Sequence, residues 1–530
     1  MSVLAGTGQL LKLGLRRSRI MLAVWVYALA AYAASTGYGF TKLYDSQESL
    51  HDFVSGINGN GATVALYGRI LVPGSVGGVT AWRLGAIGGV LVAVMSILLV
   101  IRHTRGDEEA GRLELVGAGV VGRRAPLTAG LLVGVVANLA LALVTMIVLI
   151  ACGLPAVGSL AVGLAWAIPG LCFTAVAGVT AQLAETAQAA RGIALAVVGV
   201  AYLLRAAGDA ARVSWLPWLS PIGWSQQVRA YGAERWWVVG LGVVVAVALT
   251  GAAYALVERR DLGAGLLPVR PGPAEAAPSL RSPLALAWRL QRGALLAWLS
   301  GFAVYGAAIG GVLKGIGDLV KGSSSTRDLL SRMGGQRSLE DSYVGTVMGV
   351  LGLIAAVYAV QVVLRLRTEE TAQRLEPLLA TRVRRVRWSI GHLLFAAAGP
   401  VVLLGAAGVA AGVAHGLRVH DLGTQVPRLL GAALVQAPAA WVTAAVALLL
   451  FGVVPRLAPA AWGVLGAFLL LGQLGPVLKL SQAVMDLSPF THVPKLPGAD
   501  LTVTPIAALT AVAVAVAAVG LAGFRRRDIG

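Results

Sequence analysis

The acids and arginines of one charged island, Arg105 to Arg124 (RGDEEAGRLELVGAGVVGRR), are the residues whose spacing most clearly suits a chemical task. Glu108 and Arg112 stand four apart with the acid first, the orientation that best supports a short exposed helix. Leu113 and Val116 add an apolar stripe at helical spacing. With Glu109 and Glu114 alongside, such a helix is suited to docking on a soluble partner by charge and a small apolar contact. The island recurs at Arg367 to Arg387 (RTEETAQRLEPLLATRVRRVR) without a gap. Arg105, Glu108, Arg112, Leu113, Glu114 and Arg123 match Arg367, Glu370, Arg374, Leu375, Glu376 and Arg385, so Glu370 and Arg374 repeat the pair. A solvated loop joining two membrane helices is the plainer reading. It leaves the shared register of the two copies unexplained.

Other chemistry is sparse. There is no G-x-x-x-x-G-K-[ST] loop, and Lys321-Gly322-Ser323-Ser324-Ser325 lacks its glycine spacing. Six histidines fall in different segments with no acids clustered around them, which argues against a metal site. Cys152 and Cys172 fit no metal or disulfide spacing. The expectation is that this chain binds no cofactor and catalyses nothing itself.

The elements that carry the islands follow from composition. With 57% hydrophobic residues, 13% charged residues and a mean hydropathy of +0.79, the 530 residues read as an all-α polytopic membrane protein. About twelve stretches approach the ~20 apolar residues of a spanning helix. In the first half these are roughly Ile20 to Phe40, Leu84 to Ile101, Leu127 to Ala151, Leu160 to Gln182, Gly192 to Ala207 and Trp236 to Val257. In the second they are roughly Leu295 to Leu313, Tyr343 to Leu364, Ile390 to Val413, Leu429 to Phe451, Ala460 to Leu478 and Leu501 to Gly523. The fifth is short between Arg191 and Arg205.

Basic stretches precede the first span of each half, Gln9 to Arg19 and Leu284 to Trp298, and read as elbow helices on the inner leaflet. Thr41 to Arg83 and Lys314 to Ser342 read as outer loops with little structure of their own. Leu-Ser-Pro precedes each last span at Leu219 to Pro221 and Leu487 to Pro489, fitting a break or re-entrant turn. The halves close alike, on Arg260-Asp261-Leu262-Gly263 and Arg527-Asp528-Ile529-Gly530. Residues 1–262 and 284–530 are therefore expected as two tandem six-span halves, with 263–283 as a Pro/Ala/Gly-rich linker.

A net charge of +19 raises the question of nucleic acid, but no basic surface domain with interleaved aromatics is present. With both termini inside, most lysines and arginines fall in inner segments, as the positive-inside rule requires. Halves that begin and end on the same side are parallel repeats, which enclose a pathway between them. Within the spans the polar candidates to line it are Gln361, Gln436 and Gln473, with Trp166 and Trp441. Interhelical bonding is the commoner role for glutamines in a helix bundle. Such a pathway suits a hydrophobic or amphipathic cargo. The spans contain no central Asp or Glu to carry protons, which points to an energy source outside the membrane.

Two six-span halves, elbow helices, a [DE]-E-x-x-x-R-L-E segment after each second span and Ser-Pro before each sixth together resemble a known family. It is the membrane subunit of the ABC-2 exporters of the polyketide antibiotic or tetronasin type, common in actinobacteria, with a type V exporter-like architecture. The resemblance covers most of the chain and is sharpest over Asp107 to Arg124. The second copy departs from it, with Thr371 for Glu109 and Pro377 for Leu115, so its helix is expected to be shorter or kinked. The resemblance implies a bacterial cell-membrane permease that effluxes antibiotics, drugs, polyketides or lipids, driven by two copies of a separate ATPase that holds ATP and Mg. It also implies that Glu108, Glu109, Arg112, Glu114, Glu370, Arg374 and Glu376 sit on the coupling helices that contact that ATPase. The rival is an ion-coupled secondary transporter of the major-facilitator type, whose loop after span two Glu109-Ala110-Gly111-Arg112 faintly resembles. A polytopic membrane enzyme would need a clustered acid or His site at one membrane face, and none is visible.

Overall fold

The computed structural model describes residues 2–43, 47–59, 61–117, 119, 121–261, 263–267, 274–321, 336–474 and 481–528. Among them there is no strand, and the chain divides into two compact units, Met1–Gly272 and Pro273–Gly530. Eleven helices among the described residues are long and apolar enough to cross a membrane. The protein is thus an all-α, multi-pass membrane protein.

In the first unit, α1 (Thr7–Leu43) leads through the short α2 (Gln47–Gly59) and α3 (Gly61–Tyr67) to α4 (Val76–His103). The first island forms α5 (Arg105–Glu109) and α6 (Arg112–Gly117). Then come α7 (Ala125–Ala151), α8 (Ala156–Leu183), α9 (Ala187–Ala211), the short α10 (Pro221–Gln227) and the last span α11 (Trp236–Glu258). The second unit runs α12 (Pro283–Lys321), α13 (Gln336–Thr371), the island turn α14 (Glu376–Leu379), α15 (Arg385–Val419), α16 (Leu422–Leu434), α17 (Ala437–Val453), α18 (Ala461–Leu474), the single turn α19 (Gln482–Met485) and the last span α20 (Val503–Arg526).

The packing repeats as the sequence does. Within the first unit α1 lies on α7, α4 on α8, and α11 on α8; within the second α12 lies on α15, α13 on α17, and α20 on α17. The α17–α20 contact depends on glycines, since a Cβ on Gly452 would stand 1.9 Å from the Gly520 carbonyl oxygen. Small residues bring membrane helices this close, and dispersion then holds them together.

Several expectations need correction. The stretches read as separate elbow helices, Gln9 to Arg19 and Leu284 to Trp298, are the uninterrupted first turns of the 37-residue α1 and the 39-residue α12. Their leucines and arginines are good helix formers, and no proline breaks the run. Thr41 to Arg83 is not a structureless loop. Leu50 and Val54 of α2, one helical turn apart, pack with Ile70, Val79 and Trp82 in a buried cluster. The Trp82 indole donates to the Gly68 carbonyl at 2.7 Å, and Asn58 bonds both the amide and the carbonyl of Ile70. In its counterpart, Lys314 to Ser342, residues 322–335 lie outside those described.

The fifth span is longer than its apolar core suggested. Arg205 stays within α9 because it is fully buried, donates to the Leu66 carbonyl at 3.0 Å and faces Asp209 at 3.5 Å. The span expected at Ala460 to Leu478 is described only as the 14-residue α18, which ends at Leu474 and is not among the eleven, with 475–480 outside the described residues. Each Ser-Pro opens a short helical turn. Ser220 caps α10 by accepting from Ile222 and Gly223, whereas Ser488 precedes a 3-10 turn, Pro489–His492, without a capping bond.

Candidate functional site

Each island is a broken turn rather than one amphipathic helix. Gly111 (φ +68°) separates α5 from α6, and Gln373 (φ +56°) separates α13 from the four-residue α14. A left-handed residue ends a helix and re-aims the chain beyond it. The pairs expected between Glu108 and Arg112, and between Glu370 and Arg374, are consequently not formed. Arg112 instead bonds Asp107, 2.7 Å from Nη2 to Oδ1, and Asp107 also accepts two bonds from Arg17 of α1 at 3.0 and 3.2 Å. Arg374 approaches Glu369, not Glu370, at 3.9 Å.

The carboxylate of Glu108 turns inward. It takes a forked pair of bonds from Arg260 at 2.7 and 2.8 Å, accepts the Gly263 amide at 2.7 Å and lies 3.0 Å from Arg105. In the second unit Glu370 takes the same forked pair from Arg527, at 2.7 Å for each bond, with Arg367 at 3.4 Å. Fork-to-carboxylate geometry is the strongest form of side-chain ion pairing. The two sequence features that recur in each half, the island and the closing Arg-Asp-[Leu/Ile]-Gly, are therefore bonded to one another in both units.

A second bond runs the other way. Arg123 donates to the carbonyls of Val257 (3.2 Å) and Arg260 (2.9 Å), and its match Arg385 donates to the Arg527 carbonyl at 2.7 Å. The Val257 carbonyl belongs to the last turn of α11, and those of Arg260 and Arg527 lie just beyond the last spans, where a cation is favoured. Arg105, 1% exposed, adds bonds to the carbonyls of Glu185 (2.7 Å), Gly263 (2.8 Å) and Ala264 (3.0 Å). The Arg527 guanidinium lies over the rings of Phe451 and Phe524, 4.9 and 5.1 Å from their centroids.

Burial sorts the island residues into two groups. The side chains of Glu108 and Glu370 are 5% and 6% exposed and committed within their units. Arg112 (48%) and Arg374 (66%) remain outward, and Glu114 and Glu376 are exposed. Glu109 is exposed too, although one of its oxygens accepts the Ala187 amide at 2.9 Å. Reading the islands in isolation missed Arg17, Arg105, Asp107, Arg260 and Arg527. The usable signal was that both motifs occur once per half.

The residues expected to line a pathway have varied surroundings. Trp166 is buried in the first unit, donating to the Leu84 carbonyl at 3.0 Å and stacked on Tyr32. Gln361 is exposed and accepts from the Trp298 indole at 3.2 Å. Gln436 sits buried at the break between α16 and α17, and its Oε1 has no hydrogen-bond partner among the described residues. Trp441 donates to the Ala397 carbonyl and lines an apolar cavity of about 320 Å³ with Leu393, Leu448 and Thr510, but Gln361 and Gln436 do not border it. The side chain of Gln473 lies outside what the structure describes. A buried polar residue that the sequence reading passed over is Asn138 of α7, which donates to Ser96 of α4 at 2.9 Å and to its own-helix Gly134 carbonyl at 2.8 Å.

Apolar spans tied at one end by duplicated ion pairs define a multi-pass membrane protein built from two alike units. Residues 280–525 match the family described as the multidrug efflux system permease Rv1217c, C-terminal domain. Over 525 residues the chain is 43% identical to the multidrug efflux system permease protein Rv1217c of Mycobacterium tuberculosis, covering 99% of this chain and 95% of that relative. The chain belongs to this family of multidrug efflux permeases.

Proposed function

We propose that this chain is the permease subunit of an ATP-driven ABC exporter that carries hydrophobic or amphipathic compounds, such as antibiotics, drugs, polyketides or lipids, out of a bacterial cell. It works with two copies of a separate ATPase, and ATP and Mg are held by that partner. Both termini and both islands face the cytoplasm, as the charge distribution favours. The name of the mycobacterial relative supports drug efflux as the task.

The observation that carries this reading is the repeated island, whose inner acids are locked into the bundle while Glu109, Arg112 and Glu114 in one copy, and Arg374 and Glu376 in the other, stay at the surface. A rigid base with outward charges is what a docking surface requires, because ordering costs are met before the partner arrives. Motion in the ATPase is delivered to the spans through these two places. The test is co-purification with the partner ATPase. Wild type is expected to retain it, and Glu114→Arg combined with Glu376→Arg to release it while still inserting in the membrane. Retention by the double variant would refute the docking assignment.

A further inference from the structure

We infer that the Glu108–Arg260 and Glu370–Arg527 pairs are the links that carry movement of each island into the last span of its own half, which makes Arg260 and Arg527 positioning residues for transport. The inference rests on the proposed docking of an ATPase at the islands and names the helix to which each island passes its motion.

Two bonds of opposite polarity join the same two pieces in each unit. The island's carboxylate holds the side chain of the arginine that succeeds the span, and the island's arginine holds that same residue's backbone carbonyl, with the Val257 carbonyl of the span also held in the first unit. Joined in both senses, the residue that follows the span is fixed to the island by its side chain and by its backbone. Along its length each last span packs closely on one neighbour, and in the second unit Gly452 and Gly520 tighten that contact. Only 17% of the most apolar window of α11, and 17% of that of α20, is buried, and each packs chiefly on one neighbour, α8 or α17. A helix tied to the island at its end and packed along its length on a single neighbour leaves its remaining faces free to move when the island moves. A purely structural staple accounts for one such pair. It does not account for the same construction in two units whose island sequences have otherwise diverged at Thr371 and Pro377.

The experiment uses the full chain with its ATPase in proteoliposomes and reads ATP hydrolysis and ethidium transport together. Arg260→Gln combined with Arg527→Gln is expected to leave the ATPase bound and hydrolysing while ethidium moved per ATP falls roughly tenfold, within the usual range of coupling between sites. The exchanged pair Glu370→Arg with Arg527→Glu is expected to recover part of what Arg527→Gln loses. An unchanged ratio in the double variant overturns the inference. Should that variant fail to insert, Arg260→Lys with Arg527→Lys keeps the charge but not the fork, and the same ratio decides: lowered supports the inference, unchanged overturns it. Failure of the lysine variant to insert assigns the pairs to folding and also overturns it. Wild-type transport without the ATPase is a different result, and it would fall on the proposed function instead.

Discussion

Two acids that look interchangeable in sequence have different work in the folded chain. Glu370 is buried against a guanidinium, whereas Glu376, six positions on, is exposed. Removing one partner of a buried pair leaves the other charge without compensation, at a cost on the order of 3–5 kcal/mol. Glu370→Ala is therefore expected to lower the melting temperature of the purified chain by several degrees. Arg374→Ala removes only a 3.9 Å contact from an arginine that is 66% exposed, and surface pairs of this kind contribute about 0–1 kcal/mol. The comparison is a thermal melt of the two variants side by side, and equal melting temperatures would contradict the burial argument. The spacing of the island acids was legible in the sequence, but their partners were not. Arg260 and Arg527 lie more than a hundred residues away from Glu108 and Glu370, and i, i+4 reasoning looks only at neighbours.

For the elements, the hydrophobic runs located the spans, while their ends and interruptions depended on particular contacts. Arg205 remained inside α9 because the Leu66 carbonyl accepts from it and Asp209 faces it, and the stretch after α1 folded because Leu50 and Val54 share a helix face above Trp82. Glycine and asparagine in that stretch suggested a loop, and the apolar spacing beneath them was outweighed. Gly111 likewise cut in two what charge spacing read as one helix. The close approach of α17 to α20 supplies a prediction of its own. A methyl group at Gly452 would meet the Gly520 carbonyl, so Gly452→Ala is expected to cost about 1–3 kcal/mol through overpacking. Cysteine cross-linking of α17 to α20 is expected to weaken in that variant. Unaltered cross-linking with unaltered stability would mean that the two helices are not in glycine-mediated contact.

Across the whole molecule, the duplication, the membrane class and the family were readable from composition and from two repeated motifs, because apolar length and register survive divergence. Bonding between those motifs was not readable, since it is a property of chain ends that meet only after the bundle forms. The account makes this chain a conduit whose motion originates in a partner held by two surface islands. Its most direct test is ethidium transport in sealed vesicles containing the chain alone, the chain with its ATPase, and both with ATP. Transport only in the last condition is the predicted result, and concentration of ethidium by the chain alone would contradict the account.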